Sequence, residues 1–292
     1  MSQTLLVTGA AGQLGRQIVE NLLSLGGSHV IAATRDPAKI AELKAKGAEV
    51  RRADFDDAAS LAAAFEGVDR VLIVSTDALD AAGTRLRQHS AAIAAAKTGG
   101  VKRIVYTSML NPEPPSAITF ANDHLGTELA LKASGVAHTV LRVTWYQENL
   151  KMALPAAFAS GQWFTAAGQG RLSHIARADV ALAAAEALRA PDGPSQTLDL
   201  TGDALRTTDE IAALAAKAVG KPLAVVHVTD QQLGQGLKAH GVPEGMVGFI
   251  VGFDANTRQG RMDVASDAFS KLTGRAPRTL GAFFSEHAAE FA

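Results

Sequence analysis

The chain has 292 residues, of which 47% are hydrophobic and 20% are charged, and its formal net charge is −1. This composition is typical of a globular enzyme, and the absence of long runs of like charge argues against a nucleic-acid or membrane-surface partner. The sequence contains no cysteine, which excludes disulfides, thiolate metal sites, iron–sulfur clusters and cysteine nucleophiles.

The first half of the chain alternates between predicted strands and helices. The predicted strands are residues 5–8, 29–34, 49–52, 70–74, 103–107 and 138–142. The helices predicted between them are residues 16–25, 38–46, 58–65, 81–97 and 122–133. Strands that alternate with helices of this length indicate a parallel sheet with helices on both faces.

Beyond Arg142 the alternation becomes less regular. The predicted helices are residues 179–188 and 208–219, the predicted strands are 197–200 and 223–228, and the remainder from residue 229 to Ala292 is expected to be mainly helical. We expect an α/β fold, a Rossmann-type doubly wound parallel sheet with a smaller, mainly helical C-terminal substrate lobe. The expected division is an NAD(P)-binding domain at 1–150 and a lobe at 151–292, with about 179–201 returning to the first domain.

A glycine-rich turn joins the first predicted strand to the first predicted helix. In such a turn the first glycine permits a tight bend and the second lets the backbone approach a pyrophosphate. The third lets helix and strand pack closely, and the helix N-terminus supplies free N–H groups. The alternative is a turn with packing glycines alone, which the strand before it and the helix after it disfavour. The candidate cofactor-binding residues here are Gly9, Gly12, Gln13, Leu14 and Gly15.

The end of the second strand favours NADPH over NADH. NAD-preferring proteins carry an acidic residue there, whereas this chain has Arg35, 20 residues beyond Gly15. A guanidinium can hold a 2′-phosphate with a forked pair of hydrogen bonds. The alternative is a surface arginine beside Asp36. Asp54, after the third strand, is a candidate adenine contact, although a solvated loop aspartate fits equally well.

Ligands of doubly wound sheets bind beyond the carboxyl ends of the strands. Ser75 follows the fourth strand, and Thr107 and Ser108 end the fifth, so these are further candidate cofactor contacts. Tyr146 lies just beyond the sixth strand. A proline-rich loop at residues 111–116 is placed to roof a pocket at this edge.

The Tyr-x-x-x-Lys pair of most short-chain dehydrogenases is missing. Tyr106 and Tyr146 are the only tyrosines, and neither has a lysine four residues later. The helix that would carry the pair has His124 and Glu128 instead, four residues apart and therefore on one face. We interpret His124 as a substrate contact or weak proton donor, with a surface ion pair that stabilises the helix as the alternative. No metal site is expected, because no third ligand lies nearby.

Several segments together carry a family resemblance, among them His-x-x-Thr-Glu and Trp-Tyr-x-Glu-Asn. The segments are residues 7–15, 35–39, 106–108, 124–128, 145–149, 176–179 and 271–277. The chain resembles, nearly end to end, the bacterial NAD(P)H:quinone oxidoreductase type 2 branch of the atypical short-chain dehydrogenases, next to triphenylmethane reductases and NmrA-like regulators. One departure is that Val143 and Thr144 follow Arg142, where the family commonly has Asn-Gly.

The resemblance implies an NADPH-dependent reductase that transfers a hydride directly to a quinone-like acceptor without flavin, with Tyr146 and His124 as candidate catalytic residues. A hydroquinone anion can take its proton from water, which agrees with the missing Tyr–Lys pair. The alternatives are an NmrA-like NADP(H)-sensing regulator without turnover, and a reductase of dyes or conjugated double bonds. The candidate pocket walls are Phe120, Trp145, Tyr146, Phe158 and Trp163.

The expected partner is a small flat acceptor, with no nucleic acid and no membrane. The first strand begins within a few residues of Met1, which leaves no room for a signal peptide. No apolar run approaches the ~20 residues that span a bilayer. We therefore expect a cytoplasmic protein, either a monomer or a homodimer.

Overall fold

The computed structural model describes residues 2–78 and 83–292. The strands are β1 (Gln3–Val7), β2 (Ser28–Thr34), β3 (Glu49–Arg52), β4 (Arg70–Ile73), β5 (Arg103–Met109), β6 (Ala137–Val143), β7 (Gln162–Thr165), β8 (Gln196–Leu200) and β9 (Ala224–His227). The helices are α1 (Gln13–Leu25), α2 (Ala41–Ala45), α3 (Ala58–Phe65), α4 (Thr84–Thr98), α5 (Ala121–Ser134), α6 (Leu150–Ser160), α7 (Arg177–Arg189), α8 (Thr208–Val219), α9 (Asp230–Ala239), α10 (Glu244–Arg258), α11 (Ala268–Thr273) and α12 (Leu280–Phe291).

Within the described residues, seven parallel strands form the main sheet in the order β3-β2-β1-β4-β5-β6-β8. The strand order reverses between β1 and β4, which is where a doubly wound sheet opens a crevice for ligands. The Rossmann-type fold predicted from the sequence is confirmed. The remaining two strands, β7 and β9, pair with each other in the lobe.

Each face of the sheet has its own apolar core. On one face, α1, α7 and α11 pack over inward-facing residues such as Leu5 and Val105. Helix α7 packs on α1 through a row of buried alanines, whose small side chains let the two helices approach closely. On the other face, α3, α4 and α5 cover residues such as Leu6 and Ile104. Helix α7 therefore packs on the sheet and β8 is one of its strands, although the chain passes through the lobe at residues 147–165 before it reaches them.

The lobe has a third core, built mainly by α6, α8 and α12. Phe283, Phe284 and Phe291 of α12 are fully buried there. Helices α8 and α9 each begin with a capping box. Thr207 pairs with Glu210 at the start of α8, and Thr229 pairs with Gln232 at the start of α9. In the part of the chain that is described, no helix combines the length and hydropathy of a membrane span.

Most predicted elements lie where the sequence placed them, and β3, α3 and α8 have the predicted bounds. The helix predicted at 81–97 is observed as α4, and its first two predicted residues lie outside the described part. The helix predicted at 38–46 is instead a 3₁₀ turn at Pro37–Ile40 followed by α2. Pro37 fixes a conformation suited to a helix start, and Asp36 caps the turn by accepting from Ala38 N–H.

Two elements, α6 and β7, were not predicted. Helix α6 contains Pro155, which lacks a backbone N–H and normally indicates a helix boundary rather than a helix interior. Strand β7 has only four residues and two of them are exposed, so its pattern does not distinguish it from a loop.

The proline-rich loop at residues 111–117, which we name the roof loop, is fixed to α10 and to the segment that follows it. The Asn256 side chain accepts from Ala117 N–H at 2.8 Å and donates to Ser116 Oγ at 3.0 Å. Asn111 Nδ2 donates to the Arg261 carbonyl oxygen at 2.7 Å, and the Arg261 guanidinium donates back to the Asn111 carbonyl oxygen at 2.8 Å. The roof loop is therefore a fixed wall of the crevice.

The contact between α10 and the roof loop requires a glycine. A Cβ added to Gly252 would overlap the carbonyl oxygen of Ala117, whereas a Cβ on Gly248, one turn earlier, would meet nothing within 4 Å. We expect Gly252→Ala to lower the free energy of unfolding by about 1–3 kcal/mol. Gly248→Ala, the matched control, should raise it by about 0.5–1 kcal/mol because alanine loses less entropy in a helix. Urea denaturation of both variants checks this, and equal effects would contradict the packing described.

Candidate active site

The glycine turn between β1 and α1 brings three glycines into one tight loop. Gly9 has a φ of +64°, in the left-handed region that favours glycine. A Cβ added to Gly15 would overlap the carbonyl oxygen of Gly9, so the helix can approach the turn only without a side chain there. Gly12 N–H donates to the Gly9 carbonyl oxygen at 2.9 Å and closes the turn.

The N-terminus of α1 is open to an anion. Gly12 is the N-cap and has no side chain to cover the first-turn N–H groups, and that turn contains no acidic residue. The free N–H groups and the positive end of the helix dipole therefore face the crevice at Gln13, Leu14 and Gly15. A glycine cradle with an uncapped helix fits a pyrophosphate.

Arg35 and Asp54 lie at the ends of neighbouring strands. Arg35 follows β2, is exposed, and makes no ion pair with any residue in the described part of the chain. Asp54 follows β3, and its carboxylate accepts from Asp56 N–H at 3.1 Å and from Arg52 Nη2 at 3.4 Å. The Asp54 side chain thus organises its own loop, while the Arg35 guanidinium is available to a phosphate.

Polar side chains connect the carboxyl ends of β1, β4 and β5. Ser75 N–H donates to Thr107 Oγ1 at 2.9 Å, and Val74 N–H donates to Thr8 Oγ1 at 3.0 Å. Ser75 and Thr107 are therefore in contact at the crevice. Ser108 points to the opposite face of the sheet and donates to Glu128 Oε1 at 2.6 Å.

Glu128 is the centre of a partly buried ion-pair network. Arg142 Nε and Nη2 donate to the two Glu128 carboxylate oxygens at 3.0 and 2.6 Å. Arg142 Nη2 also donates to Glu113 Oε1 of the roof loop at 2.5 Å. The network joins β5, α5, β6 and the roof loop beneath the crevice.

The structure does not show the predicted hydrogen bond between His124 and Glu128, and the alternative of a surface ion pair is wrong, whereas the role of His124 as a substrate contact stays a prediction. His124 is only 4% exposed, so it forms no surface ion pair. Its Nε2 lies 2.9 Å from Arg85 Nη1 and its Nδ1 lies 2.7 Å from Tyr106 Oη. Because a guanidinium only donates, Nε2 accepts and the proton is on Nδ1. Burial, with the charges of Arg85 and then His89, lowers the His124 pKa well below its ordinary value, so the ring is neutral.

Tyr146 lies beside the glycine turn. The Arg177 guanidinium is stacked 4.9 Å from the Tyr146 ring centroid, and Arg177 Nη1 donates to Gln13 Oε1 at 2.5 Å. Arg177 therefore connects Tyr146 to Gln13. Sequence reasoning did not identify Arg177 as a site residue, although it lies in the segment 176–179 that carries part of the family resemblance. Burial raises the pKa of Tyr146 to about 12, so its hydroxyl stays protonated at neutral pH.

Four aromatic side chains form a connected cluster beyond the carboxyl end of β6, which we define as the aromatic slot: Phe120, Trp145, Phe249 and Phe253. The Phe249 ring is 5.7 Å from Phe120 and 5.3 Å from Trp145, and Phe253 is 4.3 Å from Trp145, between centroids. All four side chains are partly exposed. Phe249 and Phe253, four residues apart on α10, were missed, although that spacing places both on one helix face.

Two of the predicted pocket walls lie elsewhere. Phe158 is 7% exposed and belongs to the apolar core of the lobe. Trp163 packs against that core, as Trp145 and Phe253 also do, but among the described residues it stacks with none of the slot rings. Both residues follow the sixth strand by more than ten positions, and α6 and β7 direct them into the lobe. Of the predicted aromatic residues, Phe120, Trp145 and Tyr146 lie at the crevice.

Comparison with known proteins decides the family. The sequence profile described as the NmrA-like family matches residues 1–284. The chain belongs to the NmrA-like family. It is 36% identical to quinone oxidoreductase 2 of Escherichia coli, over 94% of this chain and 95% of that protein. It is 30% identical to an NAD(P)H azoreductase of Xenophilus azovorans, over 98% and 99% of the two chains.

Solved structures agree with this assignment. The crystal structure of the NADPH-dependent quinone oxidoreductase from Escherichia coli in complex with NADPH superposes with a TM-score of 0.91 at 35% identity, covering 97% of this chain and 99% of that chain. Triphenylmethane reductase from Citrobacter sp., complexed with NADP(H), superposes with a TM-score of 0.90 at 31% identity, covering 97% and 99%. The resemblance drawn from the sequence is confirmed.

The Arg35 geometry predicts a cofactor preference. Arg35→Ala should weaken NADPH binding by about 1.5–3 kcal/mol, the range of a charge-assisted hydrogen bond, and leave NADH binding nearly unchanged. Isothermal titration with both dinucleotides measures this, and NADH serves as the matched control because it lacks the 2′-phosphate. Equal losses for both would contradict a contact between Arg35 and that phosphate.

Three buried histidines predict how stability depends on pH. Burial lowers the pKa of His89 and of His174 to about 3, and that of His124 well below its ordinary value. The unfolded chain therefore gains protons below about pH 6.5 while the folded chain does not, so stability falls as the pH falls.

Each of these histidines should remove about 1.4 kcal/mol of unfolding free energy per pH unit below about pH 6.5. Urea denaturation at pH 7.0 and pH 5.5 measures the loss. Equal stability at the two pH values would mean that the buried histidines are protonated in the folded protein.

Proposed function

We propose that this protein transfers a hydride from NADPH directly to a quinone-like acceptor, without a flavin. The chain is an NADPH-dependent oxidoreductase. The observation that carries the finer proposal is the aromatic slot, in which Trp145 follows the carboxyl end of β6 and contacts Phe249. When bound, NADPH supplies a hydride, and the slot offers a flat acceptor a place beside it.

The cofactor would extend along the carboxyl edge of the sheet. The first-turn N–H groups of α1 would hold the pyrophosphate, Arg35 would hold the 2′-phosphate, and Asp54 would lie near the adenine. Ser75 and Thr107 would lie near the nicotinamide half. Ser108 would contribute through its backbone, because its hydroxyl already donates to Glu128.

The slot suits a planar acceptor better than a flexible alcohol. The slot rings contact one another with centroid separations of 4.3–5.7 Å and interplanar angles of 26–39°, so they form one continuous aromatic surface. An aromatic pair contributes about 0.5–1.5 kcal/mol beyond the burial of its area, so a flat ring gains affinity from each face it touches. Orientation of the acceptor next to the transferred hydrogen is then the main catalytic contribution of the chain.

Among the described residues, the two candidate catalytic side chains, His124 and Tyr146, are unsuited to act as the general base of an alcohol oxidation. His124 is neutral and both of its ring nitrogens are engaged, so we retain it as a positioning residue for Arg85 and Tyr106 rather than as a proton donor. Tyr146 keeps its proton at neutral pH and can donate a hydrogen bond to an acceptor oxygen. The hydroquinone anion that hydride transfer leaves takes one proton from water, so reduction of a quinone needs no base.

The relatives support the reaction class and suggest alternatives within it. The Escherichia coli relative is an NADPH-dependent quinone oxidoreductase, the Xenophilus relative an azoreductase, and the Citrobacter relative a triphenylmethane reductase. Azo compounds and dyes are therefore the alternative acceptors. A regulator that binds NADP(H) without turnover remains the alternative from another class, and turnover with any of these acceptors excludes it.

The deciding experiment follows NADPH absorbance with and without benzoquinone, using protein verified to contain no flavin. We expect quinone-dependent NADPH oxidation, a slower rate with deuterium at the transferred C4 position, and no reduction of NADP⁺ by simple secondary alcohols. Tyr146→Phe, which keeps the ring beneath Arg177, should lower kcat by less than the ~100-fold typical of a lost general acid. A requirement for added flavin, or rapid alcohol oxidation, would contradict the mechanism.

A further inference from the structure

A buried arginine lies beside the aromatic slot. Arg85, the second residue of α4, is 6% exposed. Its Cζ is 4.8 Å from the Phe120 ring centroid, and its Nη1 is 2.9 Å from His124 Nε2. Within residues 2–78 and 83–292, its Nε has no hydrogen-bond partner. The Arg85 cation therefore packs against one aromatic ring and one neutral imidazole.

Other buried arginines in the described chain meet oxygen atoms. Arg70 donates to the carbonyl oxygens of Leu188 and Ala190 and pairs with Asp192 at 2.8 Å. Arg103 donates to the carbonyl oxygen of Gly193 and to a threonine hydroxyl. These contacts compensate a buried charge in the usual way.

Arg85 lacks such compensation from the described residues. No described carboxylate oxygen lies within 4.0 Å of its guanidinium nitrogens. By contrast, Arg70 and Arg142 each have a carboxylate oxygen within 2.8 Å. Asp77 and Asp123 act on it only at longer range. A guanidinium remains charged even when burial lowers its pKa, so among residues 2–78 and 83–292 this positive charge has no close negative partner.

The position of this charge is fixed by the network around it. One helical turn after Arg85, His89 Nε2 accepts from Thr76 N–H at 3.0 Å, which anchors the start of α4 to the end of β4. On the other side, His124 Nδ1–H donates to Tyr106 Oη at 2.7 Å and holds the imidazole that accepts from Arg85. Because both histidines are neutral, they fix the guanidinium without reducing its positive charge.

We propose that Arg85 stabilises the negative charge that develops on the acceptor's oxygen, so that the slot selects acceptors whose reduced form is a phenolate-type oxyanion. The inference rests on the proposed function. As the quinone gains one hydrogen with both bonding electrons, NADPH becomes NADP⁺, and the second quinone oxygen carries the negative charge until water protonates it. A cation fixed before the reaction stabilises that charge with no reorganisation, as donors in an oxyanion hole do.

The charge has a consequence for selectivity. A permanently cationic dye would place a second positive charge near Arg85, and the low polarity of the slot would strengthen their repulsion. Neutral quinones and phenolates carry no such penalty. We therefore expect the protein to prefer neutral acceptors over cationic dyes of similar size, and expect loss of the Arg85 charge to reduce that preference.

The test compares Arg85→Gln, which can still hydrogen-bond to His124, with Arg85→Lys, which restores a positive charge. The matched control is Lys97→Met, which removes an exposed cation from the far end of the same helix. Arg85→Gln should lower kcat with benzoquinone by about 100-fold, as loss of one oxyanion-hole donor does. Arg85→Lys should recover at least a tenth of the wild-type rate, and Lys97→Met should match the wild type. NADPH affinity and melting temperature check that binding and folding are intact.

A binding measurement tests the same inference without turnover. The phenolate of 4-nitrophenol mimics the reduced acceptor and absorbs visible light, whereas the phenol does not. In the complex with NADP⁺, the wild-type protein should lower the apparent pKa of bound 4-nitrophenol by about one unit, and Arg85→Gln should abolish this shift. If Arg85→Gln does not fold, the wild-type shift and its partial retention in Arg85→Lys still test the proposal.

The outcomes separate the two proposals. Equal quinone turnover by the wild type and a folded Arg85→Gln would overturn the role of Arg85 and leave the reductase function standing. A wild-type protein that binds 4-nitrophenol without favouring the phenolate would also overturn it. Absence of quinone turnover together with an Arg85-dependent phenolate shift would refute the proposed function and retain the anion site.

Discussion

The close contact between Gly15 and the carbonyl of Gly9 is the constraint on which the rest of the crevice depends. It lets α1 start directly behind β1, so that the uncapped helix end faces the point where the strand order reverses. Helix α7 then packs on α1 through alanines, and its first residue, Arg177, reaches both Gln13 and Tyr146. A side chain larger than hydrogen at position 15 would displace each of these contacts in turn.

The two arginines near the acceptor side have opposite electrostatic surroundings. Arg142 is held by the carboxylates of Glu128 and Glu113, so its charge is compensated and it braces the roof loop. Arg85 contacts a phenyl ring and a neutral imidazole instead. Compensated charges give rigidity, whereas an uncompensated charge in a poorly hydrated site interacts strongly with whatever binds there. Arg142 thus stiffens the frame beside the slot, whereas the charge of Arg85 has no close negative partner in the part of the chain that the structure describes.

The fold could be predicted from sequence because its signals are local. Buried parallel strands appear as short apolar runs, and glycines and capping residues mark where helices begin and end. The cofactor turn was readable for the same reason, since Gly9, Gly12 and Gly15 all lie between one strand and one helix. The roles assigned to individual site residues remain predictions.

The parts that sequence reasoning missed depend on contacts between distant segments. The spacing of His124 and Glu128 suggested a pair, but Tyr106, Arg85 and Arg142 compete for these two side chains and are more than ten residues away in sequence. Phe249 contacts Phe120 although the two are more than a hundred residues apart in sequence, and no local pattern near either position indicates the contact. Helical spacing shows which side chains can meet within one helix, but not which tertiary partner binds them more strongly.

The path of the chain between sheet and lobe has a consequence for engineering. After β6 the chain enters the lobe for α6 and β7, returns to the sheet for α7 and β8, and enters the lobe again for α8 to α10. Helix α11 then packs on the sheet before α12 completes the lobe. A chimaera with a single crossover would therefore combine segments from two different proteins within the core of the sheet and within the core of the lobe. Exchanging the lobe between relatives requires transplanting three separate segments, while α7, β8 and α11 stay with the recipient.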